Sequence, residues 1–398
     1  MAEAFDIVVA GAGPIGLAFA GSLAGTGLRI ALVDPQPAAA LADPGDDGRE
    51  IALTDRSVGL LQALGAWDRI PAEAIAPLRR MRVLNGPSDY AMRLGADGML
   101  GRFAPNHWLR RSLHAVVREQ EDAIILAGLS VTGVRVGRSA ATATLSDGRI
   151  LSSALVIAAD TRRSRLRQQQ GIGATLHDYR QRMLVCPVAH PLPHDETATA
   201  WFEYGQTLVT LPLNGSRSSA VMTVAEPDAA RLLSLTDEAF GQEVTRRYRN
   251  RLGAMSPVGA RHAVPVVTAY AHRFVGRRFA LLGDAAVGMH PTTAHGFNFG
   301  MLGQYALARE VRDAADRGRD VADPAGLARY EAAHRAETRL FFAGAEALMR
   351  LYAAGDSVPA RLLRNTALRL GNLPPLRNAL AARMREPDKL DPKLLNPR

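Results

Sequence analysis

The sequence predicts an α/β protein: a Rossmann-like nucleotide-binding domain interleaved with a β-rich domain and followed by C-terminal helices. Three observations carry this reading. A short β-branched run near the start leads into a glycine-rich turn and a helical stretch. Two later apolar runs, 154–160 and 278–284, also end on an acid. Alternating segments with hairpin signals lie between these two runs, and an arginine-rich helical stretch follows the second. Short apolar runs closed by turn residues are what buried parallel strands look like.

The first element is Phe5-Asp-Ile-Val-Val-Ala10, read as a buried strand. It enters Gly11-Ala-Gly13-Pro-Ile-Gly16, then a helix with Leu17, Ala20, Leu23 and Ala24 at helical spacing. A second strand, Leu28–Val33, ends at Asp34. Strand, GxGxxG, helix, strand and acid within about thirty residues form a dinucleotide site. Gly11 permits the tight turn, Gly13 admits a pyrophosphate to the backbone, and Gly16 lets helix and strand pack closely. The helix N-terminus offers free N–H groups and positive dipole. Asp34 accepts from a ribose hydroxyl. The motif alone does not separate NAD from FAD.

Composition removes several other readings. The 398 residues fit two or three domains, and 47% hydrophobic content supports sizeable cores. Cys186 is the single cysteine, so no internal disulfide and no cysteine-based metal site is expected. No metal ligand set is read. The net charge of +9 rests on a strong arginine bias, since Lys389 and Lys393 are the only lysines. That weakens any inference to nucleic acid from charge, and none is expected as a partner. The uncharged run 7–25 is preceded by Glu3 and Asp6 and broken by glycines and Pro14, unlike a signal peptide or a membrane span. A cytoplasmic protein with no cleaved segment is expected.

Ala154-Leu-Val-Ile-Ala-Ala-Asp160 is a third strand, ending on an acid and followed by Thr161-Arg-Arg-Ser-Arg165. Arg278–Gly283-Asp284 is the fourth, running through Met289-His290-Pro291-Thr-Thr-Ala-His295-Gly296-Phe-Asn298-Phe-Gly300 into a long helix. The arrangement resembles the class A flavin monooxygenases, with the p-hydroxybenzoate-hydroxylase-like fold. Within them, HPTTAHGFNFG and ADTRRS are similar to the ubiquinone-biosynthesis hydroxylases, closest to the UbiM-type demethoxyubiquinol hydroxylases. Two further segments match: Gly48-Arg49…Ala52-Leu53…Ser57, similar to the family's RxxALxxxS, and Leu109-Arg110-Arg111-Ser-Leu113, similar to its LRxxL helix.

The resemblance implies FAD as cofactor. Gly11, Gly13, Gly16 and Asp34 would hold its ADP part, with Arg49 near the phosphates and Arg110 near the cofactor. Asp160 would lie near the pyrophosphate. Gly283, Asp284, Gly296 and Asn298 would hold the ribityl chain and flavin, and Pro291 would close over the ring. NAD(P)H would be a transient reductant, since no second GxGxxG is present. Oxygen would react at the reduced flavin to give a C4a-hydroperoxide that hydroxylates an electron-rich ring. The partners implied are O2 and a polyprenyl quinol or phenol. Homo-oligomer and ubiquinone-biosynthesis complex both remain open. A helix starting near Gly296 would aim its positive end at the flavin and favour its anionic reduced form. His295 is a candidate base at the flavin–substrate junction, with a hydrogen-bonded structural histidine as the competing reading.

The departures from the pattern are Thr161 where glycine is usual, His295 for glutamine, and Val287 for histidine. Arg162, Arg163 and Arg165 are either phosphate contacts or a solvated loop. The family architecture implies a discontinuous FAD domain (1–78, 99–180, 270–330), a β-rich substrate domain (79–98, 181–269) and a helical segment (331–398). Hairpin signals at Asn214-Gly215 and Asp147-Gly148 agree.

The segment 357–385 carries six arginines and no acid, +6 of the total +9. On a helix, Arg361, Arg364, Asn365 and Arg369 fall on one side; Leu362, Leu363, Thr366, Ala367 and Leu370 fall on the other. The expectation is either that the apolar side packs on the FAD domain or that the element lies on an anionic membrane surface, peripheral on the inner membrane. Both can hold. Alternatives to the quinol hydroxylase are a hydroxylase of a soluble phenol, an FAD-dependent reductase of the isoprenoid-reductase type, and an FAD-bearing structural member of a complex.

Overall fold

The structure is a computed structural model that describes residues 3–86, 88, 90–95, 98–203, 205–353 and 358–385. In chain order, β1 (Glu3–Ala10), α1 (Pro14–Gly21) and β2 (Ile30–Asp34) are followed by β3 (Glu50–Leu53), α2 (Asn106–Arg118) and β4 (Ile150–Ala158). Next come β5 (Ala174–Ala189), β6 (Gln206–Pro212), β7 (Arg217–Ala225), β8 (His262–Ala271) and β9 (Phe279–Leu281). Helices α3 (Gly296–Asp316), α4 (Pro324–Ala353), α5 (Val358–Gly371) and α6 (Pro374–Arg385) complete the described chain.

The four apolar runs read as strands form one parallel sheet. Its order is β9–β4–β1–β2, with Ala123–Ala127 beside β2. Val8 pairs with Val156 on one side and Ala31 on the other, and Val156 pairs with Phe279. Ile7, Val8 and Val9 are fully buried, as expected of a central strand covered on both faces. Helix α1 closes at Gly21, so Leu23 and Ala24 continue as turns rather than helix. Leu23 is nonetheless buried in the same core.

The second sheet runs β8–β5–β7–β6, then Thr197–Glu203, Arg80–Asn85 and Ala91–Leu94. The Asn214-Gly215 segment joins β6 to β7 as an antiparallel hairpin. Along β5 and β6 successive side chains alternate between two environments. Leu184, Cys186 and Leu208 enter a core covered by helices Glu226–Ser234 and Asp237–Arg247. Met183, Val185, Val209 and Leu211 line a cavity instead. Strand β5 is sixteen residues long and shifts register between Asp178 and Arg182, where Arg180 adopts φ +52°.

Helix α5 corrects the expected orientation. Arg364 is fully buried, while Leu362 and Leu370 are 63% and 49% exposed. Arg364 donates from Nε to the carbonyl of Leu351 at 3.0 Å, and its guanidinium lies 5.6 Å from the Tyr352 ring. It therefore satisfies the terminal carbonyls of α4, which have no partners inside their own helix. Asn365 accepts from Asn85 Nδ2 at 2.8 Å. Leu362 and Leu370 are left facing outward. Ser357 and residues 386–398 of the C-terminal segment lie outside the described residues.

His334 of α4 is buried between Tyr330 and Phe274. Burial, with the nearby charge of Arg335, pushes it down to about 4. A depressed histidine contributes stability that is complete above its unfolded value of about 6.5 and is lost as pH falls toward 4. Urea unfolding is expected to show this as a decline of about 3 kcal/mol over that window from His334. His334→Gln should flatten that part of the slope. An equal slope in the variant would assign the loss to other groups.

Candidate functional site

The sheet order brings together segments far apart in the chain. Strands β9, β4 and β1 are neighbours, so Gly283-Asp284, Ala159-Asp160 and the turn Gly11–Gly16 emerge side by side at their C-terminal ends. Ligands of α/β sheets bind at such strand ends. They line one wall of a cavity with about 1800 Å³ of atom-free space, part of it open to solvent. Arg49, residues 50–52 of β3 and the start of α3 line it too, and Met183, Val185, Val209, Leu211 and Val221 form an apolar wall opposite.

The glycine turn is fixed by close packing. Gly11 has φ +115°, and a Cβ there would collide with the carbonyl of Ala159. A Cβ on Gly16 would collide with the carbonyl of Gly11. Gly13 differs: its φ of −71° suits any residue, and a Cβ would meet nothing within 4 Å. Its surface faces the cavity, at the N-terminus of α1.

The acids have distinct situations. Asp34 is buried; Oδ2 accepts from Ala12 N and Oδ1 from Gln36 N, each at 2.9 Å. It braces the glycine turn and does not line the cavity, although each oxygen keeps a lone pair for a further donor. Asp160 lines the cavity, and its buried Oδ1 has no hydrogen-bond partner among the described residues. Burial raises its carboxyl above the usual range. Asp284 Oδ2 accepts from Arg162 Nε at 2.9 Å, and Arg162 Nη1 donates to the Val267 carbonyl at 2.7 Å. Buried Arg167 ties both segments together by donating to the carbonyls of Ala285 and Arg162. Of the three arginines after Asp160, Arg162 lines the cavity; Arg163 pairs with Asp178 at the surface and Arg165 is exposed.

Arg49 lines the rim and pairs with Asp47 at 2.6 Å. Arg110 lies outside the lining, donating to Gln36 Oε1 at 2.9 Å. Arg111, its neighbour on α2, is exposed and faces Asp43. Asn298 also lies behind the cavity wall. Its Nδ2 donates to the carbonyls of Ala52 and Ala294 and its Oδ1 accepts from Thr54 N, so it staples α3 to β3. Pro291, Gly283 and Gly296 line the cavity directly.

The two motif histidines separate. His295 caps α3 and does not line the cavity; its ring packs 4.5 Å from Phe341 and 5.9 Å from Phe299. His290 does line it, buried edge-on against Tyr179 at 4.8 Å. Burial, helped by the charges of Arg162 and His177, pushes His290 down to about 4. It is neutral at physiological pH and offers a hydrogen bond rather than a titrating base. Sequence reasoning also passed over Glu50 and the apolar wall. The wall's only signal was a run of mostly apolar residues in 183–185 and 208–211, which left no pattern to say which face met a ligand.

The chain fits FAD. The open face of Gly13, the orphaned Asp160 Oδ1 and the carboxyl of Asp284 supply room and acceptors for a dinucleotide with a hydroxylated chain.

A family model described as "FAD binding domain" matches residues 4–341. The ubiquinone hydroxylase UbiM of Neisseria meningitidis is 39% identical over 389 residues, 95% of this chain and 84% of that protein. The ubiquinone hydroxylase UbiL of Rhodospirillum rubrum is 34% identical over 91% of this chain and 85% of its own length. The 3-demethoxyubiquinol 3-hydroxylase of Escherichia coli is 28% identical, covering 91% and 93%. Among solved structures, p-nitrophenol 4-monooxygenase PnpA of Pseudomonas putida superposes with TM-score 0.76 at 17% identity, over 96% of this chain and 99% of that one. At that identity the likeness is one of fold.

Gly13 gives a clean test of the cradle. Gly13→Leu should fold, with an apoprotein melting temperature lowered by only about a few degrees because Gly13 is the N-cap of α1, yet bind FAD at least about tenfold more weakly because the side chain fills the approach to the backbone. Wild-type flavin affinity in the variant would place the pyrophosphate elsewhere.

Proposed function

Because the chain belongs to the FAD-binding family whose model spans residues 4–341, we propose that it is an FAD-dependent monooxygenase of ubiquinone biosynthesis. It hydroxylates the ring of a polyprenylphenol or demethoxyubiquinol, with O2 and NAD(P)H as co-substrates. The observation that carries this reading is one cavity with two unlike walls: a dinucleotide cradle at three parallel strand ends faces an apolar sheet. The likeness to ubiquinone hydroxylases over nearly the whole chain supports the substrate class.

FAD, when bound, supplies hydride acceptance from the nicotinamide and activation of O2. The chain supplies placement. The free N–H groups at the start of α1 favour the phosphates. Asp160 and Asp284 accept from hydroxyls, with Arg162 neutralising Asp284 and Arg167 fixing both loops. The N-terminus of α3, at Gly296, places positive potential at the cavity. The apolar wall keeps water from the ring and suits a substrate with a hydrocarbon tail.

The C-terminal helices support peripheral contact with a membrane. Leu362, Leu370, Leu373 and Leu376 are all about half exposed or more, in a segment whose charges are arginines alone. Outward apolar groups among cations suit an anionic bilayer surface. Among the described residues no helix is long and apolar enough to cross a membrane.

Two measurements test these readings. Expression in a quinone-hydroxylase-deficient bacterium should yield an intermediate heavier by one oxygen, and purified protein should consume O2 only with the phenol present. NAD(P)H oxidation that reduces the substrate without oxygen uptake would point to the reductase instead. Leu373→Glu/Leu376→Glu should weaken co-sedimentation with phosphatidylglycerol vesicles several-fold while leaving FAD content intact. Undiminished co-sedimentation would remove these helices from the membrane contact.

A further inference from the structure

Three carboxyl groups line the cavity, and two of them are engaged. Asp284 is paired with Arg162, and Asp160 accepts from Ser164. Glu50 has neither a hydrogen bond nor an ion pair among the described residues, although it opens a strand that lines the cavity.

Its neighbours place it on the substrate side. Gly48, two residues earlier, abuts Val185 of the apolar wall and His262 of β8; a Cβ there would be 3.0 Å and 2.9 Å from them. Arg217, the first residue of β7, acts on Glu50 through its charge. Arg49 is instead held by Asp47, which Asn106 of α2 also contacts. Glu50 therefore stands where β3 meets the sheet that carries the apolar wall.

We propose that Glu50 binds the ring hydroxyl of the aromatic substrate and exchanges a proton with it. This rests on the hydroxylase reading above. A partly buried carboxyl between acidic neighbours and an apolar wall is suited to a neutral hydroxyl partner.

The surrounding charges make that exchange feasible. Burial, followed by Asp46 and Asp47, pushes Glu50 up to about 8, with Arg217 opposing. The other charged or titratable groups here are Arg49, His262 and His107, which faces Asp46 at 3.4 Å. In the exchange, one proton passes from the phenolic oxygen to a Glu50 oxygen, giving phenolate and carboxylic acid, and later returns. Against a phenol near 10, this is about a hundredfold uphill, where an ordinary carboxylate near 4.3 would face roughly half a millionfold. Phenolate character puts electron density on the ring carbon that is to be oxygenated.

Glu50→Gln keeps the shape and hydrogen bonding of the side chain but cannot titrate. The wild type should show kcat/KM for the phenol rising through a limb near pH 8. The variant should lose that limb and fall at least about a hundredfold in kcat, with unchanged FAD content and melting temperature. The methyl ether of the substrate should bind the wild type weakly and the variant no worse. A variant with the wild-type pH profile would overturn the proposal, and so would one that fails to retain FAD, since Glu50 would then serve the cofactor. A wild type that oxygenates no phenol would instead overturn the hydroxylase reading itself.

Discussion

The pairing of β4 between β1 and β9 is the constraint on which the rest depends. The backbone bonds that match Val8 to Val156 and Val156 to Phe279 set three strand ends within reach of one ligand. Each end then contributes what its own turn permits: a glycine-lined approach after β1, an acid with a free oxygen after β4, and a braced acid after β9. The bracing is done by Arg162 and Arg167, whose guanidinium groups reach carbonyls on three different segments. A one-residue slip in either pairing would reverse every side chain of the strand and dissolve the cradle.

The features legible in the sequence were those set by local rules. A buried parallel strand, a glycine turn and a terminal acid leave a compact trace, because each residue's role is decided by neighbours within a few positions. The hairpin at Asn214-Gly215 is of the same kind. Roles decided across the fold left no such trace. His295 and His290 lie five residues apart in one motif, yet packing against Phe341 of α4 and Phe299 of α3 holds one ring away from the cavity that the other faces. Asn298 sits in the motif, but its partners Ala52 and Thr54 are 246 and 244 positions away. Glu50 reads as an ordinary strand-edge acid until the second sheet closes over it.

Helix α5 shows the same limit in sharper form. Periodicity separates arginines from leucines along it, but burial does not follow that division: Arg364 is buried, while Arg369 is exposed along with Leu362 and Leu370. The open carbonyls at the end of α4 need donors, and a guanidinium supplies them with its planar, multiple N–H groups. Arg364 therefore goes inside while Leu362 and Leu370 stay out. The arginine bias, which first looked like mere composition, has structural use at Arg167 and Arg364, both fully buried.

Strand β5 has an implication for engineering. It begins against the edge of the first core, where Ala174 pairs with Ala271. It ends at the far end of the second sheet, where Ala189 pairs with Arg217 at the start of β7. One uninterrupted backbone thus belongs to both compartments. The apolar wall is consequently not a cassette that can be swapped for one from a relative with a different substrate. A chimera would have to carry the whole strand with its register shift at Asp178–Arg182, or recut specificity residue by residue on the existing frame.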